Sequence, residues 1–257
     1  MPFLSKKQSC KGQKAAVLIG INYSGTENAL QGCESDVNRI KTYLQVQCGF
    51  DDVTVLTEKS AIQPTKANII AQLNRLAQRT HLGVDHVVIH YSGHGTSVRD
   101  TDQDEADRKD EAWFAMDQQL LLDDEIRTIL NKFSPWCEVL VLVDACHSGS
   151  GIDLPLRYVG SADFVDVESS TAPLCDAIMI SGCTDTQTSD DAFLSELDGF
   201  GGAMTDSFLA CLPKSRTVFE LIDNMHTYMR AHRHSQRPQL SSSRPLEGTE
   251  HLTRWLR

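Results

Sequence analysis

"VLVLVDACHSG", residues 139–149, decides the reading of this chain. Valines and leucines run without a polar interruption, then come an aspartate, a cysteine and a histidine among small residues. A short run this apolar is a strand buried on both faces, because a strand with one wet face would alternate. "HVVIHYSG" at 86–93 has the same form and leads into His94 and Gly95, while "AAVLIGI" at 15–21 and "AIMISGCTD" at 177–185 repeat it. "VTVLT" at 53–57 is a further short β-branched run.

The stretches between these runs carry helical spacing. From Cys33 to Leu44, Val37, Ile40 and Leu44 share one face. Pro64 and Thr65 open "KANIIAQLNRLAQR", in which Ile69, Leu73 and Leu76 recur at helical intervals. Further helices are predicted over 123–132, 203–212 and 217–231. Strands alternating with helices predict an α/β fold, a mostly parallel central sheet flanked by helices on both faces. In such sheets functional groups gather beyond the carboxyl ends of the strands, where His94, Cys146 and Ser181–Asp185 fall. The acidic stretch 100–111 reads as a solvated loop, 151–175 as a long loop, and the chain from Arg233 as a polar Pro/Ser-rich tail.

At 257 residues one domain is expected, and the net charge of -11 without a Lys/Arg cluster argues against a nucleic-acid partner. Basic ligands or basic polypeptides suit that field. No apolar h-region opens the chain and no stretch reaches eighteen apolar residues, so a cytoplasmic protein with no membrane partner is expected. The eight cysteines are scattered without CxxC pairs and read as reduced thiols.

A cysteine attacks a carbonyl as thiolate while a nearby imidazole takes its proton and returns it to the leaving amine. His94 and Cys146 suit those roles, and Gly93, Gly95 and Gly149 leave room for a substrate backbone. An arbitrary cysteine after a strand is a buried structural thiol, but Asp144, His147 and Ser148 fence this one with polar groups. A Cys-x5-Arg phosphatase loop needs Arg where Ile152 stands, and no G-x-S-x-G surrounds Ser148. Zinc would need a ligand beyond Cys146, His147 and His94 and stays open. Asp144, two residues before the cysteine, can pair with a basic side chain, hold His94 or cap a helix. Asp36 by itself reads as a solvent-facing helical residue. Asp100, Asp102, Asp104 and Glu111 occupy EF-hand positions, but Glu105 replaces the required glycine and a strand precedes them, so the stretch reads as a surface loop.

"AVLIGINYSGTENALQGCESDVNRI", "HYSGHG", "DACHSGSGIDLP" and "SGCTDTQTS" together closely resemble the metacaspases, caspase-like cysteine peptidases, from about Ala15 to Glu247. The resemblance implies a caspase-hemoglobinase-like fold over 15–257 after a short segment 1–14, with a large-subunit-like part over about 15–160 and a small-subunit-like part over about 175–250. It implies a His94/Cys146 dyad that cleaves after Arg or Lys. An acidic pocket is carried onto Asp36, Ser92, Asp144 and Asp191, with Asp185 and Asp190 as rivals to the last. Calcium is implied as cofactor, at Asp123, Asp124 and Asp153 with Asp104 from the acidic loop. A monomeric zymogen that processes itself is a further implication, Arg157 being one basic candidate. The resemblance is to a stripped type I catalytic unit, without the Pro- or Gln-rich leader of many type I members and without the long linker of type II. Two rivals stand beside this: a non-catalytic calcium-responsive interaction domain, which would have lost the His or the Cys, and a related hydrolase with another preference.

Overall fold

The computed structural model describes residues 12–99, 109–145, 152, 154–160, 163–166, 173, 175–182, 191–194 and 199–256. The chain opens with β1 (Gln13–Gly20), α1 (Cys33–Cys48), β2 (Asp52–Leu56), α2 (Lys66–Thr80) and β3 (Val84–Ser92). Three short strands follow, β4 (Gly95–Arg99), β5 (Lys109–Phe114) and β6 (Leu120–Leu122), then α3 (Asp123–Leu130) and β7 (Glu138–Asp144). The second half holds β8 (Leu156–Gly160), β9 (Asp163–Asp166), β10 (Asp176–Ser181), β11 (Asp191–Leu194), β12 (Gly199–Gly202), α4 (Ala203–Cys211), α5 (Val218–Ala231), β13 (Gln239–Ser242) and α6 (Thr253–Leu256).

The central sheet has the order β2-β1-β3-β7-β10-β13-β8-β9. Its first five strands are parallel, and β13, β8 and β9 continue it antiparallel. The apolar runs are continuous because both faces are covered. Val139, Val141 and Val143 of β7 join a core with Ile69 and Leu73 of α2 and Ile126 of α3, while Leu140 and Leu142 pack with Ile40 of α1, Phe208 of α4 and Ile222 of α5. Local chemistry starts and stops the helices as expected. Thr65 accepts the Asn68 N–H at the start of α2, Thr217 and Glu220 form a capping box on α5, and α1 ends at Gly49, whose φ of 71° is left-handed.

Three stretches differ from the reading above. Residues 109–114, partly assigned to a solvated loop, form β5, where Glu111 is buried between Ser97 of β4 and the α3 side of the small sheet. The stretch 151–175 contains β8 and β9, which extend the main sheet. The polar tail supplies β13, inserted between β10 and β8, with Leu240 and Ser242 fully buried. Periodicity gave no sign of β13, because a four-residue Gln-Leu-Ser-Ser strand takes its burial from the neighbours that flank it. Arg244 and Arg254 then tie the end of the chain to Asp176, Glu138 and Glu250. Arg157 lies in β8, paired with Ser241 on one side and Val165 on the other, so its backbone is engaged in the sheet.

Candidate active site

Ser92 ends β3 and Asp144 ends β7, and the two are register partners on neighbouring strands. The ladder runs slightly beyond them: Gly93 N–H donates to Asp144 O at 3.2 Å, and Gly182 N–H donates to Val143 O at 2.9 Å. His94 therefore follows Ser92 by two residues, just as Cys146 follows Asp144 by two in the sequence. Cys146 itself lies outside the described residues, as do Asp104, Asp153, Asp185 and Asp190. His94 is half-buried, and its Nε2 lies 2.7 Å from Asn28 O. A carbonyl oxygen accepts, so Nε2 carries the hydrogen in this contact and Nδ1 is the other ring nitrogen.

Side chains on successive strand positions alternate between faces, so Ser92 and Asp144 share the face covered by α1 and α4. There they meet Asp36, from the first turn of α1. Ser92 Oγ donates to Asp36 Oδ2 at 2.9 Å, and Gly202 N–H reaches both Asp36 oxygens, at 3.1 and 2.9 Å. Thr205 N–H donates to Asp144 Oδ2 at 2.8 Å. The two carboxylates thus receive amides from the start of α4, where unsatisfied N–H groups and the helix dipole favour negative charge. Asp36 is buried rather than solvent-facing, and Asp144 does cap a helix. Asp191 contributes backbone here: in β11 it pairs with Gly202, and its side chain is outside the described residues.

The environment of Asp36 has an electrostatic consequence. Burial raises its pKa well above the ordinary carboxylate range, and the neighbouring Asp144 raises it further, against the hydrogen bonds from Gly202 and Ser92. A carboxyl whose folded pKa is raised adds stability below its unfolded pKa and withdraws it as pH rises through the folded value. The pair therefore costs stability at neutral pH. Asp36→Asn is expected to raise Tm at pH 7–8 by roughly 2–4 °C, the shift that about 1 kcal/mol makes in a chain this size. The gain should shrink toward pH 4, and a variant Tm at or below wild type at pH 8 would contradict the electrostatic account. Beneath Ser92 on the same face, His90 is fully buried, its pKa pushed down to about 3 by desolvation, with Nε2 3.3 Å from Thr205 Oγ1. It is neutral and relieves none of this charge; Arg39, 3.9 Å from Asp36 Oδ1, is the nearest cation among the described residues.

Asp123 and Asp124 open α3. Asp123 is buried and accepts the Glu111 N–H at 2.5 Å and the Asp124 N–H at 3.0 Å. No group of three or more metal-ligating side chains is assembled among the described residues. The cysteines that are described, Cys33, Cys48, Cys137, Cys175 and Cys211, are not in disulfides. Burial pushes the Cys137 and Cys175 thiols up, the latter to about 12, which leaves them inert as nucleophiles.

Sequence reasoning missed Gly202, Thr205 and Asn28. "GFGGAM" shows two adjacent glycines before a helix, but spacing says nothing of the two carboxylates that close in on the second. Among the described residues no helix is long and apolar enough to cross a membrane.

The parallel five-strand core covered on both faces, with a histidine beyond β3, has solved counterparts. A solved protein from Geobacter sulfurreducens superposes with a TM-score of 0.68 at 24% identity, covering 95% of this chain and 97% of that one. Caspase-1 from Spodoptera frugiperda superposes at 0.60 and 12% identity, covering 91% and 87%. These likenesses establish the fold. Residues 14–155 match the family model of the metacaspase, peptidase C14 domain, and the chain belongs to that family. Metacaspase-1 of Yarrowia lipolytica is 34% identical over 93% of this chain and 63% of its own length. Metacaspase-1 of Meyerozyma guilliermondii is 31% identical over 92% and 71%.

Proposed function

We propose that this chain is a calcium-dependent cysteine endopeptidase that cleaves after Arg or Lys through His94 and Cys146. The observation that supports it best is the Ser92–Asp144 register, because His94 and Cys146 each follow one of these paired strand-end residues by two positions in the sequence. In this reading the Cys146 thiol gives its proton to His94 Nδ1, and Sγ bonds to the scissile carbonyl carbon. Collapse of the tetrahedral adduct breaks the C–N bond as His94 delivers the proton to the leaving amine. Water then hydrolyses the thioester, with His94 as base. Asp36 and Asp144 form a buried acidic pair, and a desolvated carboxylate pair meets a guanidinium or ammonium far better than a neutral side chain.

The all-oxygen donor set of Asp123 and Asp124, with Asp153 and Asp104, suits a hard divalent cation. Calcium bound there would neutralise acidic charge close in sequence to Cys146. The test is a panel of matched fluorogenic peptides ending in Arg, Lys or Asp, with millimolar calcium or a chelator. Cleavage after Arg and Lys alone, lost on chelation and restored by calcium, is expected. Cleavage after Asp would refute the acidic pocket, unchanged rates on chelation would refute the cation, and silence from folded, calcium-loaded protein would favour a binding domain.

A further inference from the structure

Two tyrosines hold the backbone of His94 from both sides. The His94 N–H donates to Tyr23 Oη at 3.0 Å, and Tyr91 Oη–H donates to His94 O at 2.6 Å. Tyr23 Oη–H in turn donates to Phe114 O at 2.6 Å, while Tyr91 Oη accepts the Phe114 N–H at 3.1 Å and lies 3.2 Å from Tyr23 Oη. The phenol pair, together with the Phe114 N–H that donates to His94 O at 3.0 Å, therefore ties His94, two residues beyond β3, to the end of β5. Only Tyr23 also meets the imidazole, its ring centroid 4.8 Å from that of His94 at 35°.

The chain makes two concessions to this arrangement. Tyr23 sits at φ 50°, a left-handed conformation costly for a bulky residue and retained where surroundings over-determine it. Gly93 passes so close to the hydroxyls that a Cβ there would lie 2.7 Å from Tyr91 Oη and 2.9 Å from Tyr23 Oη. This explains the first glycine of "HYSGHG", which spacing alone assigns to substrate approach. Burial raises both phenol pKa values, so the hydroxyls stay protonated and each keeps its donor and acceptor roles at working pH.

We propose that Tyr23 is a positioning residue for His94: its hydroxyl fixes the backbone that carries the imidazole and its ring fixes the plane in which the imidazole works. The inference rests on the reading of His94 and Cys146 as a dyad. Tyr91 supports the same turn from beneath but does not touch the ring, so its loss should act through stability.

The test is Tyr23→Phe in the calcium-loaded full chain, compared with wild type and His94→Ala. Two readouts are taken: peptide cleavage per active site titrated with a thiol-specific alkylator, and the pH dependence of Cys146 alkylation by iodoacetamide. The phenylalanine keeps the ring and loses the hydroxyl. The expected result is kcat per titrated site down about 10-fold, KM within twofold, and an alkylation profile shifted toward that of His94→Ala. Fewer titratable sites with unchanged kcat per site and an unchanged profile would show a merely structural role and overturn the proposal. Should Tyr23→Phe not fold, a ring-fluorinated tyrosine at position 23 keeps the hydroxyl while weakening it as an acceptor. A smaller shift in the same direction is expected, and no shift overturns the proposal. If His94→Ala itself leaves the wild-type alkylation profile unchanged, the dyad reading fails, an outcome distinct from failure of Tyr23 alone.

Discussion

Cys146→Ala is expected to abolish peptide cleavage, with kcat/KM on an Arg peptide falling at least ~10⁴-fold, and His94→Ala is expected to fall nearly as far. Without the thiol no acyl-enzyme forms; without the imidazole the thiol is left mostly protonated near neutral pH and the leaving amine has no proton donor. Members of such a unit are strongly non-additive, so the double variant should be no slower than the worse single one. A further large loss in the double variant would mean that the two residues act separately. His94→Ala should lower Tm by no more than a few degrees, since His94 is half-buried and alanine keeps the backbone bonds to Tyr23 and Tyr91, losing only the imidazole's contacts with Asn28 O and the Tyr23 ring. An unfolded His94→Ala chain would show that the imidazole is a packing element.

Gly202→Ala should be the most damaging conservative change. The backbone φ there is -70°, which alanine adopts freely, so the argument is one of space and charge rather than of dihedral strain. A methyl group would press on the Asp144 carboxylate and lie 2.8 Å from Asp36 Oδ2. Neither acid can retreat easily: Ser92 and the Gly202 amide hold Asp36, and the Thr205 amide holds Asp144. Overpacking in a tight site costs about 1–3 kcal/mol, and displacing buried carboxylates from their donors adds to that. A destabilisation of about 3 kcal/mol is expected, with kcat/KM on Arg peptides lost more than in proportion to the folded fraction. Gly201→Ala is the control: it adds the same methyl group one residue away from the amide that holds Asp36. A Gly202→Ala protein with wild-type Tm and wild-type Arg cleavage would mean that the acids stand further apart in solution and that α4 does not bridge them.

The two predictions draw on different kinds of information. The proposed dyad is read from local signals: uninterrupted apolar runs that end in a reactive residue among glycines and serines. The carboxylate cluster does not. Asp36 opens an amphipathic helix and reads as exposed, and it is buried only because α1 packs its first turn on the ends of β3 and β7. Gly202, Thr205 and Tyr23 carry no periodic or motif signal of their own. Their meaning lies in atoms brought close by the fold, whereas periodicity reports only which side of an element is apolar.

By itself the sequence determined the parallel α/β core, because strands this continuously apolar need helices over both faces, and it put His94 and Cys146 each two residues after the last residue of an apolar run that forms a strand. The tertiary structure decided that those strands are neighbours in the register Ser92–Asp144, that a polar tail supplies a sheet strand, and that the start of α4 feeds its amides to two buried acids. The physical reason is one of range. A strand or a helix is selected by side chains within a few residues, while strand neighbours, buried charge and hydrogen-bond donors are selected by chain segments that meet only after the core has closed.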